Sequence, residues 1–328
     1  MKVHILDDWF DTLRTLPSFA ALDGHEVTVW TDHVTETSTL ADRLKDAEAI
    51  CLFRERTAIT ADLLARLPKL RLISQRSVYP HVDVAACTAH GVVFCSNMGK
   101  QGPSVAAAEL TFALILASAR QIPQQMASLR AGTWQMGVGQ SLCGRRLGLY
   151  GYGRIGKAVA RYAEAFRMEV VWWSSETGRA RAVADGAQVA ESRDAFFVEA
   201  DFVSVHVRLK PETQGIITLD DLLSMKPTAS FVNTSRAGLV EEGALMAALE
   251  AGRPGRLALD VFEKEPITDP DDPLVNHPAV IATPHIGFVT EDELNSQFAE
   301  IYEQIVAYAA GAPVNVINPE VLGAAEAE

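Results

Sequence analysis

The chain reads as an α/β protein with two doubly wound parallel sheets, the second domain inserted into the first. Three observations carry this expectation. Short apolar runs alternate with helical patterns along nearly the whole length, which implies parallel strands covered by helices on both faces. A G-x-G-x-x-G turn (Gly151, Gly153 and Gly156) stands between an apolar run and an amphipathic helix. That turn lies in mid-chain, with one strand–helix alternation already complete ahead of it.

In order, strands are expected at 3–6, 25–30, 48–53, 70–74 and 92–96. Helices are expected at 9–22 (interrupted near Pro17), 40–44, 61–67 and 82–89. The stretch 105–120 is helical and apolar nearly all round, so it is a core or interface helix and a candidate for domain packing and dimerisation. Gly132 and the 137–139 segment suggest an exposed loop. The alternation then restarts, with strands at 169–173, 202–206, 230–233, 256–261 and 280–283 and helices at 154–166, 193–199, 219–223 and 242–251. A last helix over 290–310 opens with acids and is stopped by Gly311 and Pro313, and the tail 324–328 is expected to fray. This order predicts a discontinuous first domain around an inserted one.

Composition narrows the class. The 328 residues are 48% apolar and 22% charged, an ordinary globular balance. No apolar run reaches membrane-span length, and the opening MKVHILDDWFD has acids where a signal peptide has its apolar region. Cys51, Cys87, Cys95 and Cys143 lack C-x-x-C spacing and read as free thiols of a reducing cytosol, with no metal site. A net charge of −13 argues against nucleic acid and anionic lipid as partners.

The glycine turn carries the first chemistry. Its first glycine permits the tight turn, its second lets backbone approach a pyrophosphate, and its third allows close helix–strand packing. The helix start offers N–H groups to the phosphates. Ligands of such sheets bind beyond the C-terminal strand ends, and three ionisable residues lie just past them: Arg236, Glu265 and His285. A guanidinium grips a carboxylate bidentately, an imidazole moves protons near neutrality, and a carboxylate beside it fixes the ring and stabilises its charge. Each also has a bland reading, as a surface arginine, a solvated loop acid and a capping or core histidine.

Several segments, in order, resemble the D-isomer-specific 2-hydroxyacid dehydrogenase family: GYGRIG, HVRLKPETQGII, FVNTSRAGLVEEGAL, LDVFEKEP, TPHIG and INPEVL. The resemblance spans nearly the whole chain. It implies two Rossmann-like domains, a flavodoxin-like substrate domain of 1–101 plus 290–328 and a dinucleotide-binding domain of 102–289, usually in a homodimer. It assigns Arg236 to substrate, His285 to acid–base work and Glu265 to the histidine. Cofactor contacts then fall on Gly151, Gly153, Arg154, Ile155, Gly156, Ser174, Ser175, His206, Val207, Thr234, Ser235, Asp260 and Gly287. The function implied is hydride transfer between NAD(P) and C2 of a D-2-hydroxy acid or 2-keto acid, D-3-phosphoglycerate being one candidate. The alternatives are an NAD(H)-sensing protein of co-repressor type and, less favoured because Glu265 is an acid, formate oxidation.

The chain departs from the family pattern in two places. Where the family has a glycine-rich substrate loop, this chain has Arg76-Ser77-Val78-Tyr79-Pro80, leaving the Ser77 and Val78 amides to hold a carboxylate while Tyr79 adds bulk. Arg54 sits where some phosphoglycerate enzymes bind the substrate phosphate. At the end of the second nucleotide-domain strand, Ser174 replaces the usual acid that bonds the ribose. Arg179 or Arg181 then favours NADP and Glu176 favours NAD, and the balance leans to NAD. Pocket loops are expected at 53–57, 76–80, 98–102 and 286–290. No regulatory domain is expected after Glu328.

Overall fold

The computed structural model describes residues 1–98 and 105–324. The expected boundary at 101–102, the 98–102 loop beyond Met98 and the tail from 325 lie outside the described residues. Two compact units emerge, one of Met1–Gly102 with Thr290–Glu328, the other of Pro103–Val289.

The first unit holds five parallel strands, β1 (Lys2–Ile5), β2 (Glu26–Val29), β3 (Ala49–Cys51), β4 (Leu72–Arg76) and β5 (Val93–Asn97), in the order β2-β1-β3-β4-β5. That is the flavodoxin-like order. Val3, Ile5, Ile50, Ile73 and Phe94 are fully buried, as strands covered on both faces require. The helix Glu291–Ala309 returns to this unit and buries Leu294, Phe298, Ile301, Tyr302 and Ile305. Its start is capped by Thr290, which accepts from the Glu293 amide, and three acids occupy its first turn, where the helix dipole favours them. Beyond it, Val316 bridges Cys95 antiparallel, and buried Asn318 accepts from the Phe94 amide and donates to the Val92 carbonyl.

The second unit has a six-stranded parallel sheet: β6 (Arg146–Tyr150), β7 (Glu169–Trp173), β8 (Phe202–Val205), β9 (Ser230–Asn233), β10 (Arg256–Leu259) and β11 (Val280–Ala282), ordered β11-β10-β9-β8-β6-β7. A single parallel bridge from Val189 to Trp172, flanked by bonds between Trp172 and both Gln188 and Ala190, adds a vestigial strand outside β7. Counting it, the order becomes 3-2-1-4-5-6 with one further strand, the Rossmann arrangement. The strand order reverses at β6, so the glycine turn stands at the topological switch point. The helix Val105–Arg120 is a core helix of this unit, burying Ala108, Phe112, Leu114, Ile115 and Ala119 in the same cluster as Leu147, Leu149 and Val159.

One local expectation fails, and two helices form where the sequence reading placed none. Residues 9–22 form two 3₁₀ segments, Leu13–Thr15 and Pro17–Leu22, because the Asp8 carboxylate takes the Leu13 amide at 3.0 Å and Asp11 turns left-handed at φ 48°. A helix at Ile122–Arg130 follows the core helix after a left-handed Gln121. Another, Glu176–Ala184, is capped by Ser175, whose hydroxyl accepts from the Gly178 amide at 3.2 Å. Pro123 disguises the first in the sequence, and Gly178 with its charged neighbours disguises the second.

Candidate active site

Each glycine of the turn has its own steric reason. Gly151 has φ 115°, and a Cβ there would lie 2.7 Å from the His206 carbonyl carbon and closer still to its oxygen. A Cβ at Gly156 would meet the Gly151 carbonyl oxygen at 2.9 Å and the Trp172 ring at 3.0 Å, so helix and strand pack at glycine distance. At Gly153 the nearest atom among the described residues would be 4.0 Å away, leaving its backbone open to a ligand. Gly153 also caps the helix Arg154–Ala165 with no side-chain bond, so its N-cap residue places no side chain over the first amides. These are the features a bound dinucleotide pyrophosphate requires.

The rim around the turn follows. The Tyr152 amide meets the Ser174 hydroxyl at 3.4 Å, and the Ser174 carbonyl accepts from Arg179 at 2.6 Å. The Arg179 guanidinium lies 4.3 Å over the Trp173 ring, so backbone and ring both hold it. His206 donates its amide to the Tyr150 carbonyl at 2.7 Å, and Val207 packs against the apolar cluster beside β8. Burial pushes the His206 imidazole down to about 4, so it is neutral at physiological pH.

Beyond β9 the sequence Asn233-Thr234-Ser235-Arg236 forms a bonded corner. Asn233, 1% exposed, accepts from the Ser235 amide at 3.0 Å and donates to the Arg236 carbonyl at 2.9 Å. The Ser235 hydroxyl donates to the Val205 carbonyl, and Thr234 meets Thr111 at 2.7 Å. Asn233 and Thr111 escaped sequence reasoning, although the run FVNTS flagged the corner.

Beyond β10 and β11 lies a carboxylate–imidazole pair. His285 Nδ1 meets Glu265 Oε2 at 2.6 Å, and Glu265 Oε1 accepts from the Phe262 amide at 2.9 Å. With Nδ1 so engaged, Nε2 is the nitrogen left to exchange a proton, and it has no hydrogen-bond partner among the described residues. Burial pushes the Glu265 carboxyl up, but the His285 bond and charge, the Phe262 amide and the Arg236 charge outweigh it and hold it below its usual value. The Arg236 charge thus reaches Glu265, which joins all three strand-end residues electrostatically.

His285 has φ 52°, unusual for a residue with a Cβ. Asp260 supports that backbone. Fully buried, it accepts from the Thr283 hydroxyl at 2.6 Å and from the Ile286 and Gly287 amides at 2.9 and 2.8 Å. Burial raises its pKa, and these donors oppose the rise. Asp260, expected among the cofactor contacts, supports the His285 loop. Gly287 is small because a Cβ there would stand 3.1 Å from the Asp260 carboxylate.

Arg54, Ser77 and Val78 belong to the other unit, beyond the ends of β3 and β4. Ser77 takes φ 90° without being glycine. Its carbonyl is held by the Ser96 hydroxyl at 2.8 Å and by buried Gln75. The expectation for its amide changes, because that amide donates to the Asn97 carbonyl at 2.7 Å. The Val78 amide has no hydrogen-bond partner among the described residues. Tyr79 packs edge-on against Phe94 at 5.1 Å, so its bulk goes into the core of its own unit.

Comparison with known proteins agrees with this geometry. Residues 112–287 match the family model described as D-isomer specific 2-hydroxyacid dehydrogenase, NAD binding domain. A D-3-phosphoglycerate dehydrogenase of Methanocaldococcus jannaschii is 36% identical over 85% of this chain and 53% of its own length. A glyoxylate reductase of Thermococcus litoralis is 32% identical over 91% of this chain and 92% of its own. A crystal structure described as a putative D-3-phosphoglycerate dehydrogenase from Ralstonia solanacearum superposes with a TM-score of 0.92 at 46% identity, covering 98% of both chains. The chain belongs to the D-isomer specific 2-hydroxyacid dehydrogenase family. It spans about half the length of the first curated relatives it matches, the phosphoglycerate dehydrogenases.

Proposed function

We propose that the protein is an NAD-dependent oxidoreductase interconverting a D-2-hydroxy acid and its 2-keto acid. The observation that carries this reading is the 2.6 Å Glu265–His285 pair at the C-terminal edge of a sheet whose β6 ends in the glycine turn. The turn fits a dinucleotide, since Gly153 leaves its backbone open and the helix start lacks a side-chain cap. Gly151 to Gly156 would hold the pyrophosphate, and Ser174 and Ser175 the ribose that follows. When bound, the nicotinamide supplies the hydride acceptor or donor.

In oxidation, His285 Nε2 takes the proton of the C2 hydroxyl. Glu265 holds the ring through Nδ1 and stabilises the imidazolium that forms. Arg236 grips the substrate carboxylate and stabilises negative charge at the C2 oxygen. In reduction the protonated imidazole returns its proton to that oxygen. In the first unit the Val78 amide is a candidate donor for a substrate carboxylate and Arg54 for a distal anionic group such as a phosphate, which makes D-3-phosphoglycerate a candidate substrate. NAD is favoured over NADP because Arg179 is engaged by the Ser174 carbonyl and the Trp173 ring, and Glu176 opens the helix beyond.

The protein acts as a homodimer in this reading. The helix Ile122–Arg130 buries none of its residues, and Ile122, Met126, Leu129 and Trp134 form an exposed apolar surface of the kind that a partner covers. A cytoplasmic setting suits the buried free thiols of Cys51, Cys87 and Cys95. No single helix among the described residues is long and apolar enough to cross a membrane. The deciding experiment is an NADH and NADPH oxidation screen over glyoxylate, hydroxypyruvate, pyruvate, phenylpyruvate and phosphohydroxypyruvate. Turnover of at least one is expected, and tight NADH binding with turnover of none would sink the reading.

A further inference from the structure

β1 ends in a residue that the proposed chemistry does not use. Asp7 is 2% exposed and takes φ 63°. Its Oδ1 meets His33 Nδ1 at 2.8 Å, and its Oδ2 accepts from the Thr57 hydroxyl at 2.6 Å. Its carbonyl accepts from the Arg56 guanidinium at 2.7 Å. That guanidinium also lies 4.0 Å over the Trp9 ring and 4.3 Å over the Phe53 ring. A buried carboxylate needs partners for both oxygens, and Asp7 takes one of them from the segment that follows β3.

That segment carries Arg54, whose backbone has φ 62°. Long side chains rarely adopt this conformation unassisted. Here it is fixed from both sides: Phe53 is buried before it, while Arg56 and Thr57 are tied to Asp7 after it. The left-handed turn at Arg54 therefore sits in a closed frame whose anchor is Asp7.

We propose that Asp7, its carboxylate fixed by His33, is a positioning residue that holds the 54–57 loop in the shape presenting Arg54 to the distal anionic group of the substrate. This rests on the reading of Arg54 given under the proposed function. Asp7 acts through Thr57 and Arg56 and touches no reacting atom.

The test is steady-state kinetics of the full-length protein with NADH and two substrates: phosphohydroxypyruvate, which has a distal phosphate, and glyoxylate, which has none. Asp7→Asn keeps the shape and removes the charge, and Thr57→Val removes the hydroxyl. Each is expected to raise KM for phosphohydroxypyruvate about tenfold, which is about 1.4 kcal/mol. The kcat, the NADH Kd and the KM for glyoxylate are expected to stay within about twofold of wild type. Thr57→Ser should restore the wild-type KM, and Asp7→Asn should add nothing in an Arg54→Gln background. Equal losses on both substrates overturn the proposal, because that is what general loosening of the unit produces. So does a phosphohydroxypyruvate KM that neither Asp7→Asn nor Thr57→Val moves while Arg54→Gln raises it. An unchanged KM in Arg54→Gln overturns the reading of Arg54 and this proposal together, as does a wild-type protein that does not reduce phosphohydroxypyruvate. Should Asp7→Asn fail to fold, Thr57→Val against Thr57→Ser makes the same comparison.

Discussion

The three glycines of the turn make a sharp experiment, because one chemical change, glycine to alanine, should act differently at each. At Gly151 the new methyl overlaps the His206 carbonyl, a backbone group that cannot swing aside, and φ is 115°. A left-handed alanine costs about 1–2 kcal/mol and overpacking about 1–3 kcal/mol, so Gly151→Ala should lose about 2–5 kcal/mol. Gly156→Ala, facing a carbonyl at 2.9 Å and the Trp172 ring at 3.0 Å, should lose the overpacking part alone. Gly153 is different: φ is −119°, and among the described residues a Cβ there would meet only the His206 carbonyl oxygen, at 4.0 Å. Gly153→Ala should fold as well as wild type, or better by about 0.4–1 kcal/mol through the unfolded chain. Its methyl nevertheless stands where a pyrophosphate must approach, so the NADH Kd should rise at least about tenfold, about 1.4 kcal/mol. Urea unfolding followed by tryptophan fluorescence reads the first quantity, since Trp172 and Trp173 lie on β7 beside the turn. NADH fluorescence titration reads the second. Wild-type NADH affinity in Gly153→Ala, or a stability loss there equal to that of Gly151→Ala, refutes the assignment of the turn.

Other outcomes follow from the same geometry. His285→Ala and Arg236→Ala should each lower kcat at least about 10²-fold while NADH still binds, and near-normal turnover in both contradicts the acid–base scheme. Glu265 has its folded pKa below the ordinary 4.5, so its ionised form contributes stability that is present above that value and lost as pH falls through the lowered one. The stability gap between wild type and Glu265→Gln, measured by urea unfolding, should therefore be flat near neutrality and shrink in acid; a gap that widens on acidification reverses the sign. Asp260→Asn places an amide donor against the Thr283, Ile286 and Gly287 donors, so it should cost about 1–3 kcal/mol and lower kcat, while an intact kcat would free the His285 loop from that support. The kcat/KM ratio should favour NADH over NADPH, and a large NADPH preference overturns the role given to Arg179.

The legible parts of this molecule are those whose cause is local. A strand feeding a glycine turn and an amphipathic helix is written in consecutive residues, so the turn and the strand ends bearing Arg236, Glu265 and His285 could be read directly. Supports were not legible, because their partners come from afar. Asp7 draws on His33 and Thr57, and Asp260 on Thr283, Ile286 and Gly287, so neither residue type nor spacing marks them. Ser77 shows the reverse error. The missing glycine was visible, but not that Gln75 and Ser96 hold a serine in the left-handed conformation. The vestigial strand at Val189 pairs too briefly to leave an alternating pattern.

The return of the chain to its first unit has a consequence for synthesis. Ser74 on β4 donates to the Ile301 carbonyl, and the amide of Phe94 on β5 donates to Asn318. A ribosome delivers the whole second unit between β5 and those partners. The five-stranded sheet therefore emerges with the face that bears Ser74 and Cys95 waiting for its covering helix, while the inserted unit can complete its own core. Slow stretches of translation or chaperone contact would matter most over that interval, and truncation before residue 318 should leave the first unit, not the second, prone to aggregate.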